Sequence, residues 1–432
     1  MEEILSRAMK AAEAAEVFMV TTEETPVQFE ANRLKHIHSG ESRHVALRII
    51  RQGRIGYAVT TNLDDRQQLV DAAVATAEFG MEAGFSFLGP TPYPNVVTHD
   101  PAVSAVSLDA MVKLGAELVE AARGHTPEIM CDAEVSKESA SLRLINSAGA
   151  EVSYQQTEFG LSLQGQLIRG TDMLFVGDGE DSCRPITDIK DVSQRVIRQL
   201  EMARETAELP SRPLPVIFTP NGIASALITP LMSAFNGKVV LEGASPLGDK
   251  VGETVFDTKL NLHDDPTLDY RPHSRPADSE GTPSQRTPLI ENGVVKGFLY
   301  DRLTAARAQT ESTGNGSRGG GMPQPAPSAF IITPGTTSFE EMLADIKEGL
   351  LVEYVMGASQ GNILSGDFSG NVLLGYKIEN GKIVGRVKDK MVAGNVYKIL
   401  KDLSALGSDG RWVGDTVYTP SLYCPELSVA SR

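Results

Sequence analysis

The chain has 432 residues, 41% apolar and 22% charged, an ordinary make-up for a soluble globular protein but too long for one ordinary core, so two domains are expected. A formal net charge of −16 excludes the basic stripe that direct nucleic-acid binding draws on. No apolar run reaches the ~18 residues of a membrane-spanning helix, and three scattered cysteines, Cys131, Cys183 and Cys424, argue against a disulfide framework and for a reducing cytoplasm.

The acidic start, Met1 to Arg7, lacks the basic and apolar regions of a signal peptide. Ile4, Leu5 and Met9 predict a first helix over residues 2–15. Alternation then predicts short strands: Phe29 to His38, Val45 to Ile50 and Gly53 to Val59, with a turn at Gln52-Gly53. Asp64 or Asp65 caps a helix that runs to about Phe79. Ser107 starts another, with Leu108, Met111, Leu114 and Leu118 on one face and Gly124 placed to end it. Short alternating segments follow at 132–136, 141–146, 152–157 and 159–165, with a hairpin turn at Ser147-Ala148-Gly149. Residues 189–206 read as an amphipathic helix.

The proline-rich stretch Leu209 to Pro215 divides a domain 1–208 from a domain 216–432. The second opens with a strand at Val216 and an Ala/Leu-rich helix over about Asn221 to Phe235. It is then mostly β, with Asn292-Gly293 and Asn380-Gly381 as type I′ hairpin turns, since both central residues there need positive φ. Residues 339–351, with Met342, Leu343, Ile346 and Leu350, predict one more helix. The class is α+β: an antiparallel sheet flanked by helices, then a mostly β domain.

Few residues propose chemistry. His36 and His38 share a strand face but have no third ligand placed by sequence. Asp264, Asp265, Asp269, Asp278 and Glu280 form an acidic loop that either gathers a cation or is solvated. Gly314-Asn315-Gly316-Ser317-Arg318, followed by Gly319, Gly320 and Gly321, reads as a mobile loop that orders against a ligand or partner. Asp367 is the one acid in the glycine-rich part of the segment 356–396. Gly314, Asn315, Gly316, Arg318 and Asp367 are therefore the candidate binding residues. No nucleophile elbow is present, and Cys424 sits in an apolar, strand-like end.

Asp278-Ser-Glu-Gly-Thr-Pro, Leu289-Ile-Glu-Asn-Gly-Val-Val-Lys-Gly-Phe-Leu, Ser312-Thr-Gly-Asn-Gly and the segment 356–396 occur in an order that resembles the TldD/PmbA (TldE) family, the "modulator of DNA gyrase" proteins regarded as metallopeptidases. The resemblance implies an α+β domain followed by a barrel-like β domain. It also implies a heterodimer of a zinc-bearing and a zinc-lacking subunit that cleaves peptides. The zinc-bearing type carries His-Glu-x-x-x-His on the first helix of the second domain and a Cys in a Cys-Gly-Lys element. Alignment sets Thr229-Pro230 and Ala234 against that helix motif, and no Cys-Gly-Lys is present. The resemblance thus implies the PmbA/TldE type. Such a chain has no catalytic residue or metal of its own, pairs with a zinc-bearing TldD-like subunit, and binds an unfolded peptide. A homodimer when isolated, a stand-alone peptide binder and a hydrolase without zinc are the alternatives.

Overall fold

The computed structural model describes residues 1–319 and 321–431; Gly320 of the glycine loop lies outside them. The first half is one antiparallel sheet. After the helix α1 (Glu2–Ala8) come β1 (Ala14–Glu30), β2 (Arg33–Ile37), β3 (Gly40–Arg51) and β4 (Arg54–Thr60), then the helices α2 (Arg66–Ala77), α3 (Pro101–Ala105) and α4 (Leu108–His125). The strands β5 (Met130–Asn146), β6 (Glu151–Arg169) and β7 (Asp172–Ser182) complete the sheet, and α5 (Lys190–Met202) follows. The order across the sheet is β4-β3-β1-β5-β6-β7, with β2 paired to β1.

These strands are longer than alternation suggested. β1 begins at Ala14, inside the expected first helix, because it pairs with β3 from Ala14↔Ile50 and with β5 from Glu16↔Asn146. A strand flanked on both sides wins over weak local helix propensity. The expected strand Phe29 to His38 is interrupted instead by a turn at Ala31 and Asn32, both at positive φ. The segments at 132–146 and 152–165 each fuse into one strand, and β7 was not foreseen. Asp65 caps α2 by accepting from the Gln68 amide at 2.9 Å, and Ser107 caps α4 in the same way. The chain passes through Gly124 in helical form and leaves the helix only at Thr126.

The second half contains a closed five-stranded barrel. Its strands are β8 (Pro213–Phe218), β9 (Glu348–Met356), β10 (Asp367–Glu379), β11 (Lys390–Asn395) and β12 (Leu422–Ser431). The ring closes through β8–β9, which is parallel, and through β9–β10, β10–β11, β11–β12 and β12–β8, all antiparallel. The class is therefore α+β with a barrel. The stretch 209–215 is not a free spacer: Pro213 opens β8, and Leu209 and Leu214 are buried. β8 pairs with barrel strands only.

Two expected helices change. The one over 339–351 stops at Ala344, and Leu350 lies in β9. A short run buried on both faces cannot be told from a helix by period. The one over 221–235 breaks into α6 (Pro220–Ala226) and α7 (Ile228–Ala234). Pro230 has no N–H for the Ala226 carbonyl, and its ring crowds that carbonyl, so the helix cannot run through.

The barrel strands are apolar on both faces, and the two faces serve different cores. Leu214, Val216, Phe218, Leu350 and Val352 point into the barrel with Leu422 and Cys424. Ile217, Leu351, Leu374, Tyr376 and Ile378 point outward and pack with Leu200 of α5, Leu118 of α4 and Leu163 of the sheet. One continuous core thus crosses from the first half to the second. None of the described helices is long and apolar enough to cross a membrane.

The hairpin turns have the expected backbone: Gln52-Gly53, Asn292-Gly293 and Asn380-Gly381 are all at positive φ. At Gly381, with φ +76°, an added Cβ meets the Ala344 Cα at 3.1 Å. Gly381→Val should therefore destabilise the protein by about 1–3 kcal/mol. Chemical denaturation checks this, and an unchanged midpoint would contradict the turn assignment.

Candidate functional site: a cleft between sheet and barrel

A cavity of 540 Å³ opens where β5, β6 and β7 meet the start of α6, β9, β10 and the short strand Arg411–Val413 with Gly414. Its floor is glycine-rich, with Gly165, Gly177 and Gly179 from β6 and β7. Without side chains at these three positions, the floor stays low under the cavity. A neighbouring cavity of 360 Å³ lies beyond Asp178 and Arg411, whose side chains line both spaces.

Asp178 organises the boundary. Buried on β7, it accepts from Arg195 Nε of α5 at 2.9 Å and from Arg411 Nη2 at 3.0 Å. Asn221, in the first turn of α6, donates to Glu353 Oε1 at 3.0 Å and to Asp178 Oδ2 at 3.3 Å. Gln199 of α5 donates to the same Glu353 oxygen at 3.3 Å. The buried Glu353 carboxyl is pushed up by its burial, which Arg411 and Asn221 offset only in part. Gln199 also receives the Gly177 N–H at 2.8 Å and donates to the Gly177 carbonyl at 3.1 Å, as a further strand would. The edge of β7 is closed at that point. Sequence reasoning passed over all of these residues. The one local signal was Glu353, a charge inside the apolar run Leu350 to Val355.

A second charged group borders the cleft. Glu158 and Asp181 of the sheet are half-buried and face the loops that carry Arg271, His273 and Asp415. Burial, then Asp181 and Asp415, pushes Glu158 up to about 7. Burial and Asp415 push Asp181 up to about 6. His273 Nε2 lies 2.7 Å from Asp415, which this hydrogen bond holds down at about 2 while His273 is raised. Arg271 stacks over Trp412 at 3.9 Å.

The glycine loop is elsewhere. Asn315 is fully buried and donates to Asp264 Oδ2 at 2.6 Å, and the Gly316 N–H donates to Asp278 Oδ2 at 2.8 Å. Arg318 pairs with Glu16 and donates to the Ser279 carbonyl at 2.9 Å. Glu16 and Glu280 in turn flank the buried Arg48. The acids Asp264, Asp278 and Glu280 thus have hydrogen-bond partners inside the protein, and Gly314 to Arg318 is bound in place by them rather than lying free. A side chain at 316 would strike Glu280 and Asp278. Asp367 stands exposed at the start of β10 and accepts from Asn395 Nδ2 at 2.8 Å, which lowers its pKa. His36 and His38 are exposed. Among the described residues, neither Gly314 to Arg318 nor Asp367 lines the cleft.

Among the described residues, no three His, Cys, Asp or Glu side chains are grouped to hold a metal ion. On the helix pair, Thr229 is exposed, while Pro230 and Ala234 are buried and carry no donor atom. The Cys424 thiol faces the barrel core, and burial pushes it up to about 12. These residues do not fit a zinc ion, which needs about three deprotonated ligands and an open position.

The fold and cleft define an α+β protein with a site between sheet and barrel and, among the described residues, no ligand set for a metal. The family model described as "PmbA/TldA metallopeptidase C-terminal domain" matches residues 211–431, and "PmbA/TldA metallopeptidase domain 1" matches residues 15–77. The chain belongs to this TldD/PmbA family of metallopeptidases. An uncharacterized protein of Methanocaldococcus jannaschii is 28% identical over 411 residues, 93% of each chain. A protein of Methanothermobacter thermautotrophicus named "Metalloprotease" is 27% identical, over 92% of this chain and 89% of its own. The crystal structure of TldE from Thermococcus kodakarensis superposes with a TM-score of 0.89 over all of both chains at 24% identity, which shows the shared fold.

The raised Glu158 gives a test by pH. Its folded state keeps a proton that the unfolded chain releases near the ordinary value of 4.5. Its contribution to stability is therefore full below about 4.5 and lost as pH rises through about 7. Glu158→Gln should match the parent near pH 4 and exceed it at pH 8 by about 1–2 kcal/mol, after allowance for solvent screening. Denaturation midpoints at the two pH values measure this; a variant less stable at pH 8 would contradict it.

Proposed function

We propose that this chain is the zinc-free, PmbA/TldE-type subunit of a two-component peptidase, working in the cytoplasm. It holds an unfolded peptide in the cleft, and a zinc-bearing TldD-type partner hydrolyses it. The observation that carries this reading is the contrast between the two parts of the site. At the positions the family resemblance assigns to zinc stand Thr229, Pro230 and Ala234, two of them buried without a donor atom. The cleft, which reaches the first turn of the preceding helix α6 at Asn221, nonetheless keeps a buried polar frame in Asp178, Glu353 and Asn221. A preorganised cleft over a glycine-rich floor suits capture of an extended chain, because little ordering of the site is needed on binding.

The reading predicts that the purified chain carries well under one zinc and does not cleave an unstructured peptide. Mixed with a family member bearing His-Glu-x-x-x-His, it should raise that protein's cleavage rate by about tenfold or more, a gain of roughly 1.4 kcal/mol in transition-state stabilisation. A chelator should abolish the activity. Elemental analysis together with a peptide-cleavage assay provides the check. Chelator-sensitive cleavage by the chain alone, with about one zinc bound, would overturn the reading, and an unchanged rate in the mixture would favour a stand-alone binder.

A further inference from the structure

The cleft wall continues past the cavity as an apolar surface. In the register of the sheet, Met130 lies opposite Gln166 on β6, and Ile168 lies opposite Met173 on β7. With period two, all four side chains stand on the face that also carries Phe175 into the cavity. Met130, Ile168 and Met173 are 41%, 54% and 54% exposed. Inside, Phe175, Tyr354, Leu373 and Val413 extend the same apolar lining.

The charge along this wall is one-sided. Arg411 and Asp178 neutralise each other, and Arg195 adds a second cation to Asp178. Asp132 and Asp181 also line the cavity; among the described residues neither is in a salt bridge, and Asp181 faces Asp415 and Glu180 as well as Arg271 and His273. Asp132 Oδ1 takes one backbone N–H, from Ala31 at 2.9 Å. The backbone edge of β7 at Gly177 is already occupied by Gln199, so at that point recognition falls to side chains.

We propose, resting on the peptide-binding reading above, that the cleft selects extended peptide segments in which an apolar residue is flanked by lysine or arginine. The apolar side chain lies against Phe175 and Leu373 or on the Met130–Ile168–Met173 platform. The cation is drawn to Asp132 and Asp181, and an acidic residue at that place is repelled. The attraction is partly screened and weakens with salt.

Fluorescence anisotropy with three labelled, unstructured peptides of equal length tests this on the purified full chain. One carries Leu-Lys repeats in a Gly/Ser background, one Leu-Glu, and one Ala-Lys. The Leu-Lys peptide should bind about tenfold or more tighter than either of the others. Its advantage over Leu-Glu should shrink at high salt and fall below about threefold in the double variant Asp132→Asn, Asp181→Asn. Thermal melting confirms that this variant is folded; should it not fold, the salt series on the parent protein decides the electrostatic part. Equal or tighter binding of Leu-Glu overturns the proposal and leaves peptide binding standing. Failure of all three peptides to bind removes the peptide-binding reading and this proposal with it.

Discussion

The guanidinium of Arg48, buried between two carboxylates from the two halves of the chain, is the contact on which their arrangement depends. Arg48 on β3 lies 3.0 Å from Glu16 on β1 and is bonded to Glu280, 232 residues away in the loop 274–284. Burial alone would favour losing its proton, but Glu16 and Glu280 more than offset this and raise its pKa. Phe85 and Phe87 lie against it, with centroids at 5.1 and 5.2 Å. Glu16 also takes Arg318 from the glycine loop, while Glu280 accepts the Arg302 N–H at 2.7 Å. Breaking one member of such a set leaves an uncompensated buried charge, at a cost of about 3–5 kcal/mol.

A second joint, Asp178 with Arg195, Arg411 and Asn221, ties β7 and α5 to α6 and the segment at 411. The outward face of the barrel and the helix α5 share one apolar core with the sheet. The cleft is the space left over where this packing ends. Its walls are backed by that core, and Asp178 is held by partners in both halves. That arrangement is suited to holding a flexible chain in one orientation, and it needs no metal to do so.

How much of this the sequence disclosed follows from the range of each interaction. Turns and caps were legible because their chemistry is local: Asn380-Gly381 needs positive φ at both residues, and Asp65 needs only the amide three positions on. Pro230 carried its own warning that the helix could not run unbroken. The long strands were harder, since Ala14 to Val20 becomes a strand only through partners at 44–50 and 142–146. The acids of the loop 264–280 were visible as a group, but their partners Asn315, Arg48 and the Gly316 amide were not. The glycine loop looked mobile by composition, yet its glycine at 316 is there because a Cβ would strike two carboxylates. The cleft residues come from β7, α5, α6, β9 and the segment at 411, and no spacing in the chain links them.

The central question is whether the buried charge makes the two halves of the chain one cooperative unit. Scanning calorimetry of the full chain and of Arg48→Met measures this. The account predicts one transition for the parent protein, with calorimetric and van't Hoff enthalpies in agreement. It predicts that Arg48→Met unfolds at a clearly lower temperature, with the transitions of the two halves drawn apart. Two separate transitions in the parent protein, or a variant that melts like the parent, would contradict it.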